Sequence, residues 1–343
     1  GLCRLGWSVT VVTPVPGEFW ISDPSLEGRV PPEVRVIRTR SLSGLRMLNL
    51  LKRGGGSGGS TRSSGAFGWL RCLGGLFCVP DTYAGWLPFA TRAAARLCRR
   101  ERFDAVYSTS PPDSTHLAAR KIARRFSIPW VADFRDPWIS LYLGDPPTVL
   151  HRRLHERMER RVVTGADRVL VTTTWHEGML REAYPACRVE RIPNGYDEDD
   201  FIGIDGCSPP DRPFTILHCG MLTLGRTSRP FLEGLAIFLE RQPEAAERVR
   251  VVFLGARESG NEEWVKRLGL GGSVVFRDNL PHSECIEMER ESHVLLLLKH
   301  DDERYGGLVP GKLYEYMGAG RPILAVAPDG EASDLVSRLR RGE

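Results

Sequence analysis

Residues 305–326 read YGGLVPGKLYEYMGAGRPILAV. Pro310 suits the first position of a helix, because its ring presets φ and its missing N–H would have no partner there. The helix is expected to run through Lys312, Leu313, Tyr314, Glu315, Tyr316 and Met317 and to stop in Gly318-Ala319-Gly320. Arg321-Pro322 then leads into Ile323-Leu324-Ala325-Val326, an apolar run of strand length. A glycine-flanked loop opening a helix presents free N–H groups and the positive end of the helix dipole, which suits a phosphate. With Gly311 at the helix start, Lys312 adds mobile positive charge. Glu315, one turn deeper, can accept from vicinal sugar hydroxyls. The set suits one half of a nucleotide-sugar site. In the competing reading Lys312 and Glu315 are an ordinary solvated i,i+3 pair, while Tyr314 and Met317 face a core.

Working outward, the 343 residues, 41% hydrophobic and 26% charged, are enough for two domains with separate cores. The eight cysteines (3, 72, 78, 98, 187, 207, 219 and 285) form no CxxC pair and no Cys/His cluster at zinc spacing. Reduced thiols in a cytoplasmic protein fit that pattern. No run of about 18 apolar residues suggests a transmembrane span. Residues 1–200 hold 29 Lys+Arg against 21 Asp+Glu, and the remainder 18 against 22. The basic excess clusters at Arg92, Arg96, Arg99, Arg100 and Arg102, at Arg120, Lys121, Arg124 and Arg125, and at Arg152, Arg153, Arg157, Arg160 and Arg161. Such helices suit an anionic membrane surface or a phosphate-bearing acceptor, or are simply a solvated basic face. Aromatics are not interleaved with these charges, which argues against nucleic acid.

Strand and helix patterns alternate along the chain, which argues for an α/β fold with parallel sheets covered on both faces. In the first half, strands are expected at 8–13, 34–38, 105–108, 130–134 and 168–172, and helices at 89–100, 114–126 and 148–164. In the second half, strands are expected at 215–219, 250–254, 273–276 and 294–298, and helices at 229–241, 261–268 and 282–291. The polar stretch YDEDDFIGIDGCSPPDRP, 196–213, reads as a linker between a domain over 1–195 and another over 214–343. Two doubly wound Rossmann-like domains facing across a cleft follow, with ligands beyond the carboxyl ends of the strands. Residues 53–68 are a low-complexity loop, and the apolar stretch 69–90 is either core or an interfacial segment. Residues 1–6 read as the tail of a helix entering a second strand, and 333–343 as a helix without a closing element, so a fragment cut at both ends is expected.

Several stretches together resemble a known family. They are FDAVYSTSPPDSTHLAAR at 103–120, IPWVADFRDPW at 128–138, ADRVLVTTTWHEGML at 166–180, IPNGYDEDDF at 192–201, LHCGMLTLGR at 217–226 and VPGKLYEYMGAGRPILAV at 309–326. Over nearly its whole length the chain resembles the GT-B glycosyltransferases of family 4, retaining nucleotide-sugar transferases, and among them a bacterial subgroup of cell-surface polysaccharide assembly. By this resemblance Glu315 matches the second glutamate of the family's E-x7-E signature, which holds the donor ribose. The first glutamate falls at Gly307, so sugar recognition must use something else, such as the backbone of Gly306 and Gly307. Gly220 keeps the close turn after the strand ending at Cys219, Met221 stands in the family's Arg slot, and Arg226 near its Lys slot is expected on the diphosphate. Arg135 occupies a place where the family often has histidine, and it is flanked by Asp133 and Asp136. Either Arg135 orients substrate and Asp136 takes an acceptor hydroxyl, or an Asp/Arg pair holds the loop. His116 reads as structural, and Asn194-Gly195 as a hinge in which glycine permits positive φ.

The resemblance implies transfer from a nucleoside diphosphate sugar to a glycan or lipid-linked acceptor, with retention and without a metal or other cofactor. Lys312, Arg226 and the helix start at 310–312 would stabilise the leaving diphosphate. A nucleotide-sugar epimerase of the same fold, and a non-catalytic nucleotide-sugar-binding protein, are the alternatives. No GxGxxG follows a strand, which sets aside a dinucleotide-binding protein.

Overall fold

The computed structural model describes residues 1–16, 24–42, 79–139, 148–203, 209, 211, 213–223, 226–300, 302 and 305–342. The chain forms two compact units, Gly1–Thr172 with His176–Ile192, and Thr173–Trp175 with Pro193–Glu343. The low-complexity stretch 53–68 and the first part of the apolar stretch, 69–78, lie outside the described residues.

In the first unit, strand β1 (Thr10–Pro14) pairs in parallel with β2 (Arg35–Thr39), in a register running from Thr10↔Arg35 to Pro14↔Thr39. A four-stranded parallel sheet has the order β3 (Val106–Ser110), β4 (Trp130–Phe134), β5 (Arg168–Val171) and β6 (Val189–Arg191). Helices α1 (Leu87–Cys98), α2 (Ser114–Phe126), α3 (Val149–Val163) and α4 (Thr174–Ala183) join these strands. Trp130, Ala132 and Phe134 alternate along β4 and are fully buried with Val162, Val163, Val169 and Val171. Phe134 and the valines each contribute roughly 1.5–3 kcal/mol on leaving water. Within this core Trp130 Nε1 donates to Ser108 Oγ at 2.9 Å. Asp81 caps α2 by accepting from the Ser114 backbone N–H at 2.7 Å, and Ser127 closes the helix in the left-handed region at φ 54°.

In the second unit a five-stranded parallel sheet has the order β11 (Ile323–Val326), β10 (Val294–Leu298), β7 (Phe214–Cys219), β8 (Val249–Leu254) and β9 (Val274–Arg277). Its helices are α5 (Arg229–Arg241), α6 (Ser259–Arg267), α7 (His282–Arg290), α8 (Gly311–Ala319) and α9 (Glu331–Arg338). β7, the first strand of the unit, lies in the middle, and the order reverses direction between β7 and β10. That reversal is the switch point at which open α/β sheets bind ligands, just beyond the carboxyl ends of the strands. The two parallel α/β units expected from the alternation are both present, the first with its strands divided between a pair and a four-stranded sheet.

Several boundaries differ from the sequence reading. Pro310 is the residue before α8 and not its first position, because its ψ of 138° is extended. Helix α4 and the short strand β6 were not foreseen. The expected helix tail at the amino end is a 3₁₀ turn, Leu2–Leu5, ended by Gly6 at φ 84°. Helix α9 stops at Arg338, after which Gly342 bridges to Ile323. The start of the expected linker is packed structure. Within the second unit Tyr196 and Phe201 meet edge to face at 5.3 Å, Phe201 joins the core beneath α8, and Asp200 Oδ2 lies 3.0 Å from His282 Nε2. Two aromatic anchors outweigh the acidic composition that suggested a linker. Residues 204–208, 210 and 212 of that stretch lie outside the described residues.

Candidate functional site

At the switch point β7 ends in His218-Cys219 and runs into Gly220, while β10 ends at Leu298 and runs into Lys299-His300. Helix α8 is fastened over this edge by Tyr316. Its fully buried hydroxyl accepts the Cys219 N–H at 2.9 Å and lies 3.4 Å from the carbonyls of Cys219 and Leu296. Lys312 is one turn earlier on the same face of the helix. It therefore crosses Gly220, whose φ of 127° belongs to glycine's range, and a Cβ added there would land on Lys312 Nζ. The neighbouring Gly255, at φ 129°, lets the ends of β7 and β8 meet closely, since a Cβ there would strike the Gly220 carbonyl.

Lys312 is thus not the mobile charge expected from the sequence. Its Nζ lies 3.3 Å from His218 Nε2. His218 Nδ1 lies 2.8 Å from the Leu296 carbonyl, which can only accept, so Nδ1 carries the proton and Nε2 receives from Lys312. Burial, and next the charge of Arg226, push Lys312 down to about 8. Burial and the Lys312 charge hold His218 well below its usual range. Arg226 also acts on Lys299 and His300, so one arginine and two lysines converge on the edge of β7 and β10.

Lys299 and His300 were missed by the sequence reading. Lys299 Nζ donates to the Leu308 carbonyl at 2.8 Å and lies 3.4 Å from the Gly306 carbonyl; burial pushes it down to about 8. His300 stacks on Tyr305 at 4.2 Å. Together they fix the 305–308 turn. A lysine and histidine directly after the all-apolar VLLLL strand were the available signal, because that is where strand ends present ligand-binding groups.

Glu315 is half-buried on α8, within electrostatic reach of Lys312 and of Glu289 on α7. Glu289 is buried, and burial followed by the Glu315 charge pushes its carboxyl up to about 8. Gly311 is exposed, with open space where a Cβ would stand. Gly307 is the opposite case, because its Cα packs on the indole of Trp175, a residue grouped with this unit. A side chain at Gly307 would strike that ring. Tyr314 and Met317, expected to face the core, are partly buried and pack against it, while Leu313 and Tyr316 are its fully buried members on this helix.

In the first unit, Arg135 and Asp136 follow β4 and are exposed. Asp133 is engaged by Tyr107 and Thr109 at 2.7 and 2.9 Å. Arg135 forms no ion pair among the described residues, so the Asp/Arg pair does not hold this loop; Thr172 Oγ1 instead donates to the Arg135 carbonyl at 3.0 Å. Asp113, a residue the sequence reading passed over, lies near Asp136. Burial, and next the charges of Asp81, Glu159 and Asp136, push it up to about 8. His116 is structural, fully buried with Nδ1 at 2.8 Å from Ser108 Oγ. Asn194 and Gly195 lie just past the change of unit at Ile192/Pro193. Gly195 does not use the positive φ expected of it.

The glycosyl transferase 4-like domain family matches residues 1–195, more than half of the chain. The chain belongs to that family. No curated protein sequence matches it. Among solved structures, this glycosyltransferase is similar to a sucrose-phosphate synthase from Thermosynechococcus elongatus, at 14% identity and a TM-score of 0.62, covering 99% of this chain and 80% of that one. It is similar to WaaG, a glycosyltransferase involved in lipopolysaccharide biosynthesis, at 15% identity and a TM-score of 0.59, covering 100% and 78%. A third structure, described as trehalose-6-phosphate from E. coli bound with UDP-2-fluoro glucose, matches at 12% identity and a TM-score of 0.55 over 75% and 66%. At these identities the likeness shows the GT-B fold. No helix among the described residues is long and apolar enough to cross a membrane.

Proposed function

We propose that this chain transfers a sugar, with retention, from a nucleoside diphosphate sugar to a glycan or lipid-linked acceptor in cell-envelope polysaccharide assembly. The reading places it in the cytoplasm, with an anionic membrane surface as a further partner. The observation that carries it is the convergence of Lys312, Arg226 and Lys299 at the β7/β10 switch point beside the start of α8. A partly desolvated cationic pocket of this kind stabilises a departing diphosphate, because charge interactions strengthen away from water. Lys312, Arg226, Gly220 and Gly311 hold the diphosphate, and Glu315 holds the ribose. The 305–308 turn faces the transferred sugar with backbone groups. A donor phosphate oxygen or Asp136 takes the acceptor proton, and Arg135 orients the acceptor. The UDP-sugar analogue named with one structural neighbour supports the donor class.

A nucleotide-sugar thermal-shift screen tests this reading, followed by Glu315→Ala against the best stabiliser. A stabilising donor whose effect is lost in Glu315→Ala supports it. No stabilisation by any nucleotide sugar, or equal binding by the variant, defeats it. The missing carboxylate at Gly307 favours one second reading, a protein that binds the donor without transferring it. Calorimetric binding with no sugar released or transferred would select that alternative.

A further inference from the structure

In the first unit, several surface arginines are paired: Arg35 meets Glu101 at 2.7 Å, Arg168 meets Glu190 at 2.9 Å and Arg181 meets Glu177 at 2.8 Å. Helices α2 and α3 instead combine basic side chains with exposed aliphatic ones. At about 100° per residue, Leu150, Arg153, Leu154, Arg157 and Arg161 fall on one outward stripe of α3, opposite the buried His155, Met158, Glu159, Val162 and Val163. Leu150 is 73% exposed and Leu154 41%, and Val149 beside them is 68% exposed. Arg153, Arg157 and Arg161 are exposed, as are Lys121, Arg124 and Arg125 on α2. Among the described residues no carboxylate pairs with Arg124, Arg153, Arg157 or Arg161.

The two helices are tied together at the basic end. Arg120 Nε donates to the Arg161 carbonyl at 3.0 Å, and Gly165 leaves the room for that reach. Partial burial, then the charges of Arg124 and Arg161, depress the Arg120 guanidinium, so these like charges act on one another. The result is an apolar patch at the start of α3 that grades into unpaired arginines over roughly 16 Å, at 1.5 Å rise per residue.

We propose that this α2/α3 face docks on an anionic lipid bilayer. Leu150, Leu154 and Val149 enter the headgroup boundary, and Arg124, Arg153, Arg157 and Arg161 lie over lipid phosphates. Charge complementarity selects an anionic partner. The exposed aliphatic side chains select a bilayer over a nucleic acid, whose backbone offers them nothing to bury against. The proposal rests on the membrane partner of the proposed function, to which it gives a face, and stands independently of the donor-site reading.

The test is co-sedimentation of the full chain with phosphatidylcholine vesicles with and without phosphatidylglycerol, at low and high salt. Binding is expected only with phosphatidylglycerol, and weaker at high salt. Arg124→Glu/Arg157→Glu/Arg161→Glu should weaken it by at least tenfold, and Leu150→Ser/Leu154→Ser severalfold. Arg241→Glu/Arg248→Glu/Arg250→Glu, with the same change of net charge in the second unit, should bind like the parent. Circular dichroism and melting curves confirm that each variant is folded, and all six substituted residues of the two triples are exposed. The proposal is overturned by absence of binding to the anionic vesicles or by equal loss in the second-unit variant. It is also overturned if the leucine variant binds normally while poly(U) RNA displaces the protein from vesicles, because the face is then a general polyanion surface.

Discussion

Lys312 Nζ sits 3.3 Å from Nε2 of His218, and His218 is locked in the accepting tautomer by the Leu296 carbonyl. A lysine pushed down to about 8 is half neutral just above physiological pH, and a diphosphate beside it restores its proton. Donor binding should therefore take up a proton above pH 8, and affinity for a nucleoside diphosphate should fall as pH rises from 8 to 10. Isothermal titration with UDP and GDP across that range measures it. Lys312→Met should weaken binding by at least tenfold at pH 7 and flatten the pH dependence. Unchanged affinity in that variant removes Lys312 from the donor site.

The same groups predict an unusual stability profile. Glu289 and Asp113 have folded values raised to about 8, so the folded chain holds more protons than the unfolded one from about pH 4 to 8. Their contribution falls as pH rises through that window. Lys312 and Lys299 are lowered to about 8 from 10.5, so the unfolded chain holds more protons between 8 and 10.5, and stability rises there. The buried histidines act in the opposite sense to the carboxyls below pH 6.5: His116 and His176 are depressed to about 3 and 4, and their contribution rises with pH. Without ligand, a dip in melting temperature near pH 8 is expected. Glu289→Gln should shallow its acid side and Lys299→Met its alkaline side; a monotonic profile in the parent chain contradicts the assignment.

How much of this was legible in the sequence depends on whether the feature is periodic. The strand VLLLL at 294–298 and helix 229–241 were readable to the residue, because burial on both faces and a 3.6-residue stripe leave strong patterns. Helix α4, TWHEGMLREA, was not: threonine, tryptophan and a mid-helix glycine weaken its propensity, and packing decides it. For Lys312 and Glu315 the residue types were legible but not their environment. That Lys312 lies partly buried over Gly220 follows from Tyr316 fastening α8 to Cys219, a contact 97 residues apart in sequence. Lys299 and His300 matter only once β10 is known to neighbour β7, and strand order is not written in any local pattern.

Gly220 and Gly311, two glycines of the proposed donor site, should behave oppositely. Gly220→Ala places a Cβ at φ 127° on top of Lys312 Nζ, so backbone strain and displacement of the lysine combine. A loss of about 1–3 kcal/mol is expected from the strain alone, with nucleoside diphosphate binding abolished. Gly311→Ala meets open space at the first residue of α8, and Ala favours a helix more than Gly does. It should leave the melting temperature unchanged or slightly higher and keep binding. Urea titrations and calorimetry on both variants check this; similar losses in the two would show that Gly220 has no special geometry.

Gly307 and Trp175 should be energetically coupled. The indole occupies the space of any side chain at 307, so Gly307→Ala forces the turn away from Lys299 and His300, and a loss of about 1–3 kcal/mol is expected for such overpacking. Trp175→Ala opens that space, and adding Gly307→Ala to it should cost little. The double-mutant cycle is therefore expected to show coupling of about 1 kcal/mol or more, which denaturant unfolding resolves. Gly307→Glu in the Trp175→Ala background then asks whether the turn has replaced a carboxylate in sugar recognition. If it has, the added glutamate should leave UDP and GDP affinity unaltered while changing which nucleotide sugars stabilise the chain. Additive single-variant effects would show that Trp175 does not fill the position of the missing glutamate.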